Sequence, residues 1–283
     1  MSLTDIPKKA GSFREMGYKL PVPDNNPAGG IRKSSPGTNI YHISYTPQTK
    51  EVSLFFWGCN FSCRGCLSKK GTGNYLLPEN IHLFRDNPAE TVQPPVHFLS
   101  VADVLSILGG LDIQTVLFEG QEPSLDESLP QLAKLIHTEF RTQNILCSNI
   151  NKLVLLDDID CIQLSLKAVT DSLHLDYTGK SNRNVLNNLK YLHAAGKKLS
   201  IASVLIPGYI DKDEIELIAG FISDINQGLP FNILPYFKAG QNKWRCPTIS
   251  EMEDSERIAR KYLTHVYAWR GDEEIKYEVM KIY

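Results

Sequence analysis

Hydrophobic and polar positions change rhythm along the chain. From residue 51 onward, short apolar runs alternate with longer stretches in which apolar residues recur every three or four positions. The runs at 52–57, 115–118, 144–147, 161–166, 199–205, 232–235 and 264–268 are brief, apolar and bounded by polar turns, so each is a predicted strand. Helix-opening signals stand between them. Ser100 is followed three residues on by Asp103, Ser124 by Glu127, Asp211 by Glu214 and Thr248 by Glu251. That spacing lets a side-chain acceptor and an acidic residue cap a first turn reciprocally. The stretch 184–195 puts Val185, Leu189 and Leu192 on one face and stops at Gly196, a residue suited to closing a helix.

Strands and helices in alternation predict an α/β fold with a parallel sheet and helices outside it. Right-handed crossovers then leave an open doubly wound sheet or a full or partial barrel. In either, chemistry gathers at the carboxyl ends of the strands. Residues 1–40 stand apart. Pro21, Pro23, Pro27, Pro36 and the pair Gly29 and Gly30 read as an irregular arm ahead of a core domain at 41–283. A second loop-like stretch, at about 67–93, is rich in Gly, Asn and Pro; its length inside a compact domain points to function.

Composition refines this only slightly. With 42% apolar and 22% charged residues over 283 positions, a sizeable core is expected and global disorder is excluded. A net charge of −2 without a long basic run gives no general grip on nucleic acid. The longest apolar runs, such as 116–118 and 201–207, fall far short of the ~20 residues of a membrane span. The opening MSLTDIPKKAG lacks the apolar stretch of a secretory signal, so the expected location is cytoplasmic.

The cysteines carry most of the chemistry. Cys59, Cys63 and Cys66 lie within eight residues, directly after the first predicted strand, whereas Cys147, Cys161 and Cys246 are scattered. In a reducing compartment a clustered trio reads as metal ligation rather than crosslinking. Thiolates at these spacings can each take a different iron of a [4Fe–4S] cubane, and Gly58 and Gly65 let the backbone turn closely around it. With no fourth cysteine nearby, one iron is left open to a ligand. The alternative is a zinc knot, which needs a fourth donor; His82, sixteen residues beyond Cys66, is its candidate. Cys147 and Cys161 fall inside strand patterns and read as small core hydrophobes, while Cys246 fits either role. No histidine pair has metal spacing, and no residue declares itself a catalytic acid or base.

The segment FFWGCNFSCRGC at 55–66 resembles the signature of the radical S-adenosylmethionine (SAM) superfamily, and within it the glycyl-radical activating enzymes, pyruvate formate-lyase activating enzyme among them. Gly65 departs from the aromatic residue that most members carry before the third cysteine. LFEGQEP at 117–123 is similar to the family's GGEP strand end, with Gln121 in place of the second glycine. Cys147, Ser148 and Asn149 are similar to the end of the family's third strand. LSLK at 164–167 resembles L-D-x-K, with Ser165 replacing the aspartate and Lys167 kept. IPG at 206–208 resembles a V-P-G turn, and ILPYFKAGQNKW at 233–244 a sixth-strand segment with Phe237 where the activases place a histidine. The matches run in family order over about residues 50–260.

The resemblance implies a partial (β/α)6 barrel of TIM type and an enzyme with two cofactors, a site-open [4Fe–4S] cluster and SAM. It implies Cys59, Cys63 and Cys66 as cluster ligands, and Gly120, Gln121, Glu122, Asn149, Ser165 and Lys167 as cofactor-binding positions. Reductive cleavage of SAM would yield a 5′-deoxyadenosyl radical for hydrogen abstraction. The implied partners are a low-potential electron donor of flavodoxin or ferredoxin type and a protein substrate such as a glycyl-radical enzyme. Gly65, Gln121, Ser165 and Phe237 leave the substrate open. A cluster- or zinc-binding module without catalysis is the competing expectation.

Overall fold

The computed structural model describes residues 37–69, 73–80, 92–239 and 242–283. Residues 1–36 of the expected arm, and 70–72 and 81–91 of the expected loop with His82, lie outside the described residues. Strands β1 (Ile40–Thr46) and β2 (Glu51–Phe56) form an antiparallel hairpin. Beyond β2, each parallel to the last, come β3 (Thr115–Gly120), β4 (Gln143–Ser148), β5 (Cys161–Ser165), β6 (Lys198–Leu205), β7 (Phe231–Pro235) and β8 (Val266–Ala268). β9 (Met280–Lys281) then returns to the outer side of β1, giving the order β8-β7-β6-β5-β4-β3-β2-β1-β9 in one sheet. The sheet is unclosed: the α/β fold is the one the alternating pattern predicts, and the partial barrel, among the forms that pattern left open, is the one the resemblance implies. Gly37 is already bridged to Ser100, and β1 begins at Ile40.

The helices are α1 (Val101–Leu108), α2 (Leu129–Phe140), α3 (Asp171–Thr178), α4 (Arg183–Ala194), α5 (Lys212–Ile225) and α6 (Ile249–Ala259). Strand alternation sorts the two faces of the sheet. Val52, Leu54, Phe56, Val116, Phe118, Leu146, Ile162 and Leu164 share one core with helix residues such as Leu108, Ile136, Leu189 and Ile218. Fully burying a side chain of this size contributes about 1.5–3 kcal/mol, so this face fixes the register of every strand. The other face carries Ser53, Glu119, Cys147, Gln163, Ser200 and Asn232, one from each of β2 to β7. Cys147 Sγ lies 3.5 Å from Gln163 Oε1, and Asn232 Nδ2 donates to Ser200 Oγ at 3.1 Å. Cys147 and Cys161 therefore line the polar face and are not core hydrophobes. Their strands alternate, and the even-numbered neighbours Leu146, Ser148, Ile162 and Leu164 take the core side.

Two of the four helix-start signals act as reciprocal boxes, Ser100 with Asp103 and Thr248 with Glu251. Asp211 caps α5, but Glu214 turns away and accepts from Val169 N, Thr170 N and Thr170 Oγ. Ser124 opens no helix: it sits in a single 3-10 turn at Pro123–Leu125, and α2 begins at Leu129. Helix α3 buries His174, Tyr177 and Thr178, so no apolar stripe in the sequence announces it. Among the described residues no helix is long and apolar enough to cross a membrane.

Candidate active site at the carboxyl ends of the strands

The cysteine loop leaves the carboxyl end of β2 and is stitched to its neighbours at every turn. Gly58 takes φ +103, a conformation that disfavours any Cβ. Cys59 Sγ accepts from Phe61 N at 3.3 Å. Further on, Ser62 N donates to Thr178 O at 2.8 Å and Arg64 N to Tyr177 O at 3.0 Å, so the loop lies along the end of α3. All three thiols are free and half-buried. Burial pushes the Cys59 thiol far above its ordinary range, with Glu122 adding to the effect. It pushes Cys63 up to about 11, against the opposing charge of Lys167.

The end of β3 braces this loop. Gly120 adopts φ +104, and a Cβ there would stand 2.8 Å from both the N and the O of Phe56, so only glycine fits. Gln121 N donates to Phe56 O and Glu122 N to Gly58 O, each at 3.0 Å. The Gln121 side chain then spans the base of the loop: its Oε1 accepts from Gly58 N at 3.0 Å, while its Nε2 donates to Ser68 O at 3.5 Å. Ser68 Oγ donates to Gly120 O at 3.0 Å. The residue that replaces a family glycine thus uses its extra atoms to hold the loop's two ends together.

Glu122 is buried and accepts four hydrogen bonds. Ser124 gives its Oγ at 2.6 Å and its N at 3.2 Å, Ser148 its Oγ at 2.7 Å and Asn149 its N at 2.7 Å. Burial raises its carboxyl, and these donors pull the other way by stabilising the charged form. The carboxylate thereby fixes the end of β4, where Asn149 Nδ2 donates to Asn60 Oδ1 at 2.7 Å and lies 3.8 Å from Cys59 Sγ. The expected cofactor positions Gly120, Gln121, Glu122 and Asn149 are accordingly brought against the cysteine loop. Lys167 is within electrostatic reach of Cys63. Ser165 ends β5 beside Ala202 and makes no side-chain hydrogen bond to this group.

Several participants were not evident in the sequence. Ser68 and Asn60 are ordinary polar loop residues until the fold returns them to β3 and β4. Tyr177, Tyr209, Tyr236 and Trp244 form one aromatic cluster at the rim. Arg64 lies 5.0 Å from the Trp244 ring and pairs with Asp176 at 2.6 Å. For Tyr209 and Tyr236 the sequence signal was an aromatic residue just past the ends of β6 and β7.

Among the described residues no group of three or more His, Cys, Asp or Glu is placed to hold one metal ion. A single zinc at about 2.3 Å from each sulfur would draw the thiols to within about 4 Å of one another. A cubane takes each thiolate on a different iron and asks for wider spacing. Cys59, Cys63 and Cys66 are close enough on one loop to interact electrostatically, and each could offer its sulfur to a different iron.

Comparison with known proteins agrees with this geometry. Residues 54–220 match the family model described as the Radical SAM superfamily. A Methanocaldococcus jannaschii protein, inferred to be a glycyl-radical enzyme activating enzyme, is 29% identical over 79% of this chain and 82% of its own. The pyruvate formate-lyase-activating enzyme of Staphylococcus aureus is 36% identical over 34% of this chain and 39% of its own length. Streptococcus suis SuiB, solved with S-adenosylmethionine, shares the fold with TM-score 0.53 at 14% identity, over 75% of this chain and 48% of that one.

Proposed function

From the premise that this chain belongs to the radical SAM superfamily, whose model spans 54–220, we propose that it reductively cleaves SAM at a site-open [4Fe–4S] cluster held by Cys59, Cys63 and Cys66. The chain is an enzyme of the radical SAM kind. When bound, the two cofactors supply a 5′-deoxyadenosyl radical by one-electron scission of the sulfonium C–S bond.

The residues do the rest. Cys59, Cys63 and Cys66 would hold three irons, and Asn149 and Phe61 N steady the Cys59 sulfur. Gly120, Gln121 and Glu122 would border SAM mainly through their backbone, because the Gln121 amide is engaged with the loop and the Glu122 carboxylate with β4. Ser165, which ends β5, and Lys167, two residues on and within electrostatic reach of Cys63, would bound the cofactor from that side. A radical that abstracts hydrogen from whatever it meets has to be kept from water while it forms. A flavodoxin- or ferredoxin-type donor supplies the electron.

The relatives' names make a glycyl-radical enzyme the first target to test. Ser165 and Phe237, where aspartate and histidine were expected from the resemblance, argue for a re-tuned pocket around that target or another. What carries the reading is the meeting of the cysteine loop with the ends of β3 and β4 through Gln121, Glu122 and Asn149. Anaerobic reconstitution tests it. About four iron and four sulfide per chain are expected, and a preparation that takes up one zinc and no sulfide contradicts it.

A further inference from the structure

Gly65 is buried although Arg64 beside it is exposed. The reason is a wall of rings. A Cβ at Gly65 would lie 2.9 Å from Tyr236 Cε2, 3.1 Å from Tyr177 Oη and 3.5 Å from Trp244 Cζ3. The space that a side chain at position 65 would fill is therefore occupied by residues from α3 and from the segment after β7. Tyr177 and Tyr236 are almost wholly buried and belong to a small apolar cluster on which Cys63 and Trp244 pack. Trp244 is its half-buried member, stacked on Tyr209 at a centroid distance of 4.3 Å, with one ring edge against Gly65 between Cys63 and Cys66. Arg64 turns its guanidinium outward, toward Trp244 and Asp176, which holds its positive charge at the rim. Asn242 Nδ2 donates to Arg64 O at 2.7 Å, so the segment carrying the indole is tied to the loop it covers.

We infer that Trp244 is a positioning residue that seals the Cys63–Cys66 side of the cluster from water and so helps keep its reduction potential low. The physical reason is that reduction adds negative charge; water stabilises that charge, whereas an apolar ring does not. This rests on the cluster reading proposed above, and the test separates the two.

The parent chain, Trp244→Ala and Trp244→Phe are reconstituted anaerobically and their folding compared by circular dichroism. Cluster loss to a chelator is then followed by absorbance, and the midpoint potential by redox titration with paramagnetic resonance. The expected result is loss about 10-fold faster and a potential shifted upward in Trp244→Ala, with Trp244→Phe close to the parent. If Trp244→Ala takes up no cluster, normal uptake and retention in Trp244→Phe sustains the inference, and failure in both overturns it. Equal retention and potential in parent and alanine variant also overturn it, as does equal impairment of both variants. A parent chain that takes up no cluster overturns the underlying reading as well.

Discussion

Asn149 donates its side-chain amide to Asn60 Oδ1 at 2.7 Å, so the end of β4 grips the residue that follows Cys59. The same amide lies 3.8 Å from the Cys59 sulfur. Asn149→Ala removes both contacts, and with them the Asn151 N to Asn149 Oδ1 bond at 2.9 Å, and leaves the Asn149 N to Glu122 bond in place. Each such hydrogen bond is worth about 1 kcal/mol, so thermal stability falls modestly. Cluster uptake on reconstitution is expected to fall several-fold, read as iron and sulfide per chain.

Gly120 is pinned between its own φ of +104 and the Phe56 backbone, 2.8 Å from where a Cβ would sit. Neither the strand nor the loop can retreat, because Gln121 N and Glu122 N are bonded to Phe56 O and Gly58 O. Gly120→Ala is expected to destabilise the protein by about 2–4 kcal/mol. Urea unfolding read by circular dichroism measures it, and an unchanged midpoint contradicts the close approach.

Glu119 faces the polar side of the sheet in register with Phe55, and burial raises its carboxyl to about 7. The folded state therefore binds its proton more tightly than the unfolded state does. Its contribution to stability is complete below the ordinary carboxylate range and is lost as pH rises through about 7. Unfolding free energy is expected to fall between pH 5 and 8 by up to about 3 kcal/mol from this group. Glu119→Gln should flatten that slope and be the more stable chain at pH 8. An unchanged slope in the variant contradicts the assignment.

The sequence pattern reached the seven parallel strands because each buries one alternating face, and burial is what apolar periodicity records. It missed β1 because IYHISYT is buried nearly throughout and shows no clean alternation. It missed β9 because two exposed residues carry no pattern at all. The cysteine trio and the strand ends at Gly120–Glu122 and Asn149 were legible as chemistry, since thiol spacing and strand-end polarity are local. What each side chain does was not. Gln121 looked like an intruder in a glycine position and is the clasp of the loop. Glu127 promised a capping partner for Ser124, whose hydroxyl is taken by Glu122. Gly65 looked like a missing ring, whereas rings arrive there from Tyr177, Tyr236 and Trp244, more than 100 residues later. Such pairings depend on which loops the fold brings to one rim, and local pattern does not encode that.

The central claim is SAM cleavage at the three-cysteine site, and product formation tests it most directly. Reconstituted protein, reduced with dithionite and mixed with SAM under anaerobic conditions, is predicted to form 5′-deoxyadenosine and methionine in equal amounts. Cys63→Ala, treated identically, is predicted to form neither. Cluster-loaded parent protein that leaves SAM intact, or a Cys63→Ala variant as active as the parent, contradicts the account.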